Sequence, residues 1–381
     1  MKLTAQIKLR PTPQQHDALK TTLERANTAC NAISDYAWTN QVFNQFKLHA
    51  ALYIDLRTQF GLGSQLAVRC LSKVADAYKL DKAAKRHFKE HGSIAFDSRI
   101  LRYFIDQQFV TIWTLTGRET IPYQCAERQR EMLKHQKGES DLVLHRGEFY
   151  LLATCEVPEE PLEAVDGFLG VDRGVVNVAT DSEGNLYTGA RVEQRRKRYS
   201  QQRHGLQKTN TKSSKRRLKT IGNKQARFQR DVNHCIAREL VKRAKRTQQG
   251  IALEDLTGIN LRTRVRRDTR AERGNWSFDQ LGQFVQYKAA LYGVPYVEVD
   301  PRYTSQRCTA CGHTEKANRR SQSEFLCCAC GHRAHADVNA AINISVAACQ
   351  PANSLREPML VPERSIAISL GTSSPFYRAV R

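Results

Sequence analysis

Acidic residues are scarce in this 381-residue chain: 38 Asp and Glu stand against 60 Lys and Arg, a formal charge of +22. That imbalance argues against a polycationic partner and favours a polyanionic one, with nucleic acid foremost. Long apolar runs are missing as well. No unbroken stretch approaches the roughly 20 residues that cross a bilayer, and no amphipathic anchor stands at a terminus, which sets an anionic membrane surface aside as the partner. The opening MKLTAQIKLRPTP alternates apolar and polar residues and lacks the apolar middle of a secretory signal, so the expected location is the cytoplasm or nucleoid. A disulfide framework is disfavoured because the 11 cysteines are an odd number and the densest group has metal-ligand spacing, both of which suit a reducing compartment. The apolar content, 40% of residues, supports a folded protein with two or three domains.

Leu3, Ala5, Ile7 and Leu9 alternate with polar residues and predict a strand with one buried face. Thr12, Pro13 and Gln15 have the form of a capping box with proline at the first helical position. Leu19, Leu23, Ala26, Cys30, Ile33 and Ala37 then recur at steps of three and four, one buried helical stripe. Further helical sequence runs to about residue 90, with a break at Gly61 and Gly63. Between Leu142 and Val157 two β-prone runs flank the turn-like Arg146-Gly147, a hairpin that can pair with the first strand. From Gly167 three meandering strands are expected, GFLGVD, VVNVAT and a segment after Glu183-Gly184-Asn185. Residues 191–246 hold 20 Lys and Arg against three acids, and the later part carries Leu218, Ile221, Phe228, Val232, Ile236 and Leu240 at helical spacing. This predicts a helix buried on one side and strongly basic on the other. A smaller basic run, LRTRVRRDTRAER, follows at 261–273, then a helix around Leu281–Tyr292 and a strand VPYVEV. Residues 350–381 hold four of the 11 prolines with no sustained period and read as a mobile tail.

Two cysteine pairs, Cys308-x-x-Cys311 and Cys327-x-x-Cys330, are each followed by a glycine that permits a tight knuckle turn. Paired thiolates at this spacing give zinc its tetrahedral set, and four of them leave no open position, so the expected role is structural. Cys328 breaks the two-residue gap, and His313, His332 and His335 are read as non-ligands.

Three acids stand where hydrolytic metal chemistry could use them. Asp172 ends the apolar strand GFLGVD, Glu254 ends GIALE, and Asp337 opens the helix DVNAAINI. Carboxylates converging from separate elements can hold two divalent ions around a scissile phosphate, and magnesium prefers such hard oxygen ligands. Singly, each has a plainer reading as a turn residue, a strand-end charge or a helix cap.

Taken in order, GVDRGVVNVATDSEG, IALEDLTGI, TSQRCTACG, FLCCACG and HADVNAAINI resemble the transposon-encoded TnpB proteins, OrfB-type relatives of the compact type V CRISPR effectors, and KLTAQIKLRPTPQQHDAL is similar to their opening strand and helix. The resemblance covers nearly all the chain except the tail. It implies an α/β fold class: an RNase H-like (RuvC) nuclease domain with an inserted zinc ribbon, plus an N-terminal wedge β-barrel carrying a helical recognition lobe. The expected partition is 1–10 and 126–165 for the wedge, 11–125 for the helical lobe, 166–300 and 335–349 for the nuclease domain, 301–334 for the ribbon and 350–381 for the tail. Asp172, Glu254 and Asp337 match the three nuclease acids and would hold two Mg2+ ions, while Cys308, Cys311, Cys327 and Cys330 match the Zn2+ ligands. The implied activity is RNA-guided cutting of double-stranded DNA next to a short recognition motif in a prokaryotic cell, with a guide RNA from the transposon end as partner. The physical division of labour is that base pairing reads sequence while a positive channel holds the backbones. Arg195, Arg196, Lys197, Arg198, Lys215, Arg216 and Arg217, with Arg264, Arg266 and Arg267 in the second basic run, are the expected contacts. The rival readings are an RNA-guided repressor that binds without cutting and a transposase that needs no guide. Two departures from the pattern stand out: Arg173 occupies a place more often apolar, and Cys328 adds a thiol.

Overall fold

The computed structural model describes residues 1–174, 176–256 and 278–350. The chain divides into two units, the first Met1–Val157 and the second beginning at Pro158. In the first, strand β1 (Lys2–Leu9) buries every second residue, as its alternation requires. Thr12 and Gln15 close the expected capping box, each side chain bonded to the other's backbone N–H, and start helix α1 (Pro13–Asn40). All six residues of the apolar stripe on α1 are buried. Helices α2 (Gln45–Thr58) and α3 (Ser64–Leu80) complete the helical part and pack on α1 and on each other.

The helical segment is shorter than the expected 11–125. After α3 come β2 (Ile94–Phe96), β3 (Leu101–Phe104), β4 (Phe109–Thr114) and β5 (Gly117–Gln124). The physical cause is visible in FVTIWT, a β-branched and aromatic run closed by a turn at Gly117, whose φ of 124° suits glycine. Helix α4 (Glu127–Leu133) and the hairpin β6 (Gln136–His145) and β7 (Glu148–Glu156) follow. One seven-stranded antiparallel sheet results, in the order β2-β6-β7-β1-β5-β4-β3. The predicted hairpin does pair with β1, Lys2 opposite Glu156 through Lys8 opposite Tyr150. Residues 158–165, expected with this sheet, lie instead in the second unit, where the Glu160 and Glu163 N–H groups donate to the carbonyls of Leu291 and Gly293.

The second unit is built on five strands: β8 (Phe168–Asp172), β9 (Asn177–Asp181), β10 (Leu186–Thr188), β11 (Gly250–Glu254) and β12 (Tyr296–Val299). Their order is β10-β9-β8-β11-β12, with β8, β11 and β12 parallel and the meander β8-β9-β10 antiparallel. Two helices, α5 (Ala190–Thr209) and α6 (Lys212–Arg246), occupy the basic region between β10 and β11. Helix α6 buries Ile221, Ile236 and Leu240 and packs on α7 (Phe278–Leu291). A two-stranded ribbon, β13 (Glu324–Leu326) and β14 (Arg333–His335), precedes α8 (Ala336–Ala348).

Helix α8 presses unusually close on the sheet. A Cβ on Gly170 would stand 2.0 Å from the Ala341 carbonyl oxygen and 2.6 Å from the Ser345 nitrogen, so only glycine admits the helix there. Ala252, Val299, Ile344 and Ala348 fill the core between α8 and the sheet. Side chains alternate across a strand, so the residues two beyond Gly170 and Ala252, namely Asp172 and Glu254, stand on the face that α8 covers. Among the described residues, no helix is long and apolar enough to cross a membrane.

Candidate active site and cysteine centre

Asp172 and Glu254 end adjacent parallel strands whose register places Val171 opposite Leu253, so the two residues stand side by side at the C-terminal ends of inner strands. Asp337 is the second residue of α8 and only 3% exposed. Asp172 feels the other two acids. Burial, and then the charges of Glu254 and Asp337, push the Asp172 carboxyl up to about 7, against the pull of Arg319 and of the Arg173 N–H. Burial also pushes Glu254 up, offset by a hydrogen bond from Thr304 and by the charges of Arg173 and Arg319.

Each acid has its own support. Arg319 donates to Asp337 Oδ1 at 2.9 Å and Asn177 Nδ2 donates to Oδ2 at 3.0 Å. The Thr304 hydroxyl donates to Glu254 Oε1, and the Arg173 guanidinium donates to the Glu254 backbone carbonyl. On α8, Asn343 Nδ2 donates to the carbonyls of Thr304 and Arg307, both at 2.8 Å, and Asn339 Oδ1 accepts from the Thr309 hydroxyl at 3.0 Å. The helix that carries Asp337 therefore also fixes the segment that leads into the first cysteine pair. Thr304, Asn177 and Arg319 were not legible as site residues, because each reaches its acid from a separate segment.

The four cysteines converge. Cys308 and Cys330 Sγ are 3.8 Å apart and Cys311 and Cys327 Sγ are 3.6 Å apart. A tetrahedron with Zn–S bonds of about 2.3 Å has edges of roughly 3.8 Å, so the set fits zinc. The four thiols share hydrogen bonds that, without a metal, split their acidities: the Cys330 N–H helps to pull Cys327 down to about 6, while the neighbouring thiols push Cys311 up to about 12. Gly312 and Gly331 take the positive φ of the knuckles, 77° and 74°. Cys328 is exposed and outside the set, its N–H donating to Asn318 Oδ1. Among the described residues, a second group, Glu24, Glu90 and His91, also brings its ligand atoms within 4.8 Å of one another; the three acids are not gathered that tightly.

Of the expected nucleic-acid contacts, Arg195, Lys197 and Arg198 are exposed on α5, and Lys215, Arg216 and Arg217 on α6. Arg196 lies on α5, but its side chain falls outside the described positions, and Arg264, Arg266 and Arg267 lie outside the described residues. Between α5 and α6 a cleft of about 360 Å3 is lined by Arg195, Arg198, Tyr199, Arg217 and Lys224 among others. The Arg195 guanidinium sits 4.2 Å above the Phe228 ring, which orients one of these cations.

These features define a mixed α/β protein with an acidic cluster at the ends of parallel strands, a cysteine centre joined to it through one helix, and a basic helical pair. Comparison with known proteins gives the kinship. Residues 153–263 match the family described as Probable transposase (OrfB_IS605), and residues 278–344 match the Cas12f1-like, TNB domain family. The CRISPR-associated endodeoxyribonuclease Cas12f1 of Sulfoacidibacillus thermotolerans is 37% identical over 131 residues, 34% of this chain and 29% of that protein. The putative RNA-guided DNA endonuclease InsQ of Escherichia coli (strain K12) is 31% identical over 221 residues, 53% of this chain and 54% of that protein. The fold is like that in the structure of the mini-RNA-guided endonuclease CRISPR-Cas_phi3, with a TM-score of 0.51 at 10% identity, covering 90% of this chain and 92% of that one. The kinship with TnpB-family proteins expected from the motifs holds over the matched segments. The matched region spans 29% and 54% of the length of these two curated relatives.

Proposed function

We propose that the chain is an RNA-guided DNA endonuclease that cuts target DNA beside a short recognition motif, at a single RuvC-type site formed by Asp172, Glu254 and Asp337. One observation carries the reading: acids from three elements face one another on the α8 side of a mixed sheet, Asp337 buried and Asp172 and Glu254 half-buried, with Asp172 raised to about 7. Acids gathered where they raise one member's pKa suit a site for cations. In the same reading the first unit is the wedge with its helical lobe, 301–334 is a zinc ribbon, and α5 and α6 belong to the channel that holds nucleic-acid backbones.

The donor set fits hard divalent cations, because it offers carboxylate oxygens and no soft ligand. Two Mg2+ ions bound there would supply charge to hold the scissile phosphate and to activate water. The chain's own part is positioning. Asn177 and Arg319 hold both oxygens of Asp337, and Thr304 fixes one oxygen of Glu254. Arg319 is the counter-charge that lets the acids share this space before cations arrive. The four-cysteine centre, loaded with Zn2+, would hold the 304–309 segment that carries Thr304.

The relatives named above are called RNA-guided or CRISPR-associated nucleases, which supports a guide RNA as partner and double-stranded DNA as substrate. The test is plasmid cleavage by the chain co-expressed with its flanking DNA, in magnesium, beside Asp172→Ala. Breaks that need both RNA and Asp172 support the proposal. Guided binding to an uncut plasmid favours the repressor reading, and cutting without RNA removes the guide.

A further inference from the structure

Arg173 is the residue that departs from the pattern around Asp172, and the structure gives it a prepared place. Its backbone N–H faces the Asp172 carboxylate and lowers it, while its guanidinium donates to the Glu254 carbonyl. One residue therefore touches both strand ends that carry acids. The guanidinium continues to α7. A Cβ built on Gly282 would stand 2.7 Å from Arg173 Nη1 and 3.7 Å from its Cζ, and no other atom that such a Cβ could meet comes within 4 Å. Gly282 lies inside the helix without a positive φ, so no turn or cap demands it. Glycine in a helix interior is a cost to stability, and here it leaves the space that the guanidinium fills.

We propose that Arg173 is a positioning residue of the carboxylate site: seated in the notch that Gly282 leaves in α7, it ties the end of β11 to the end of β8 and fixes where the Glu254 carboxylate stands relative to Asp172. The planar guanidinium suits this, since it can hold a carbonyl with one nitrogen while another packs against a helix backbone. Arg173 and Gly282 are then one device, and neither is useful without the other. The inference deepens the nuclease reading and rests on it for its catalytic consequence, but not for its geometry.

The experiment is a double-mutant cycle on the full-length chain with its guide RNA, comparing wild type, Arg173→Met, Gly282→Ala and the double variant, with Arg173→Lys as the conservative control. Melting temperature without divalent metal, Mg2+ binding by calorimetry and guided cleavage are read for each. Alanine at 282 is expected to lower the melting temperature when Arg173 is present, because its methyl group collides with the guanidinium. It should raise the melting temperature in the Arg173→Met background, where only helix propensity remains. Arg173→Met and Gly282→Ala should each lower kcat by about 10- to 100-fold, weaken Mg2+ binding and leave KM for target DNA unchanged. The double variant should be no slower than Arg173→Met, and lysine should recover part of the loss.

An alanine effect of the same sign in both backgrounds, or kinetic losses that multiply, would overturn the proposal. So would wild-type Mg2+ binding and kcat in Arg173→Met. If the wild-type complex does not cut, yet the sign reversal appears and Mg2+ binding weakens in Arg173→Met, the positioning role stands and the nuclease reading falls.

Discussion

In the proposed site Asp172 is under two opposed demands, since it would have to be charged to hold a cation yet is half-buried beside two other acids. Its raised value of about 7 fixes the sign of two predictions. A carboxyl whose folded value exceeds its unfolded value of about 3.9 binds its proton more tightly in the folded state, so the metal-free protein loses stability as pH rises from about 4 to 7. Asp172→Asn should therefore raise the melting temperature of the metal-free protein at pH 8, by about 1–3 kcal/mol of stability, while abolishing cleavage and the stabilisation that Mg2+ gives the wild type. At limiting magnesium, wild-type cleavage should fall as pH drops through about 7, because protons compete with cations for Asp172, and added magnesium should move that limb to lower pH. Arg319→Ala removes a charge that lowers both Asp172 and Glu254. It should move the same limb to higher pH and lower metal-free stability by about 2–4 kcal/mol, since Asp337 loses its buried partner. The three acids stood out as candidates through their combination and the motifs they share with the TnpB family, since singly each has a plainer reading. Asn177, Thr304 and Arg319 did not, because polar residues in turns have many uses and only the fold brings these to the acids.

At the scale of elements, the approach of α8 to the sheet is the contact on which the site depends. Gly170→Ala should cost about 3 kcal/mol and reduce cleavage well beyond that loss of stability, as the methyl group would displace the helix that bears Asp337; thermal melts alongside single-turnover cleavage read both effects. The cysteine centre is coupled to the same helix through Asn339 and Asn343. Cys308→Ser or Cys327→Ser should lower bound zinc below one per chain, expose 301–335 to limited proteolysis and slow cleavage, although no cysteine touches the acids. The apolar stripe of α1 and the hairpin at β7 were readable from period alone. The end of the helical segment was not. Asn27, Asn31 and Ser34 on α1 bond the backbone of residues 86–92, a polar ladder that holds a non-helical stretch and that hydrophobic periodicity does not register. The strands that follow it, at 94–124, are short runs whose sheet partners are distant in sequence; local pattern carried helix only to about residue 90, and it was the family resemblance that extended the helical lobe over them.

At the scale of the whole molecule, the shortage of acid is concentrated on α5 and α6, where the exposed cations line a cleft. Reversing Arg195, Arg198, Arg217 and Lys224 to Glu should weaken RNA binding by at least about 100-fold and flatten its salt dependence by roughly three to four counterions, measured by filter binding across a salt series. Composition favoured a polyanionic partner before any motif did, whereas the reach of the basic surface depends on how two helices stand together.

The central claim is that an RNA directs where these acids cut, and its most direct test is to change the RNA. The purified complex is loaded with guides of two unrelated sequences, and the cut ends are mapped on one plasmid that carries both targets beside the same flanking motif. The account predicts that the break moves with the guide, requires Mg2+, and vanishes with Asp172→Ala. A break that stays in place when the guide changes, or that survives without Asp172, would contradict it.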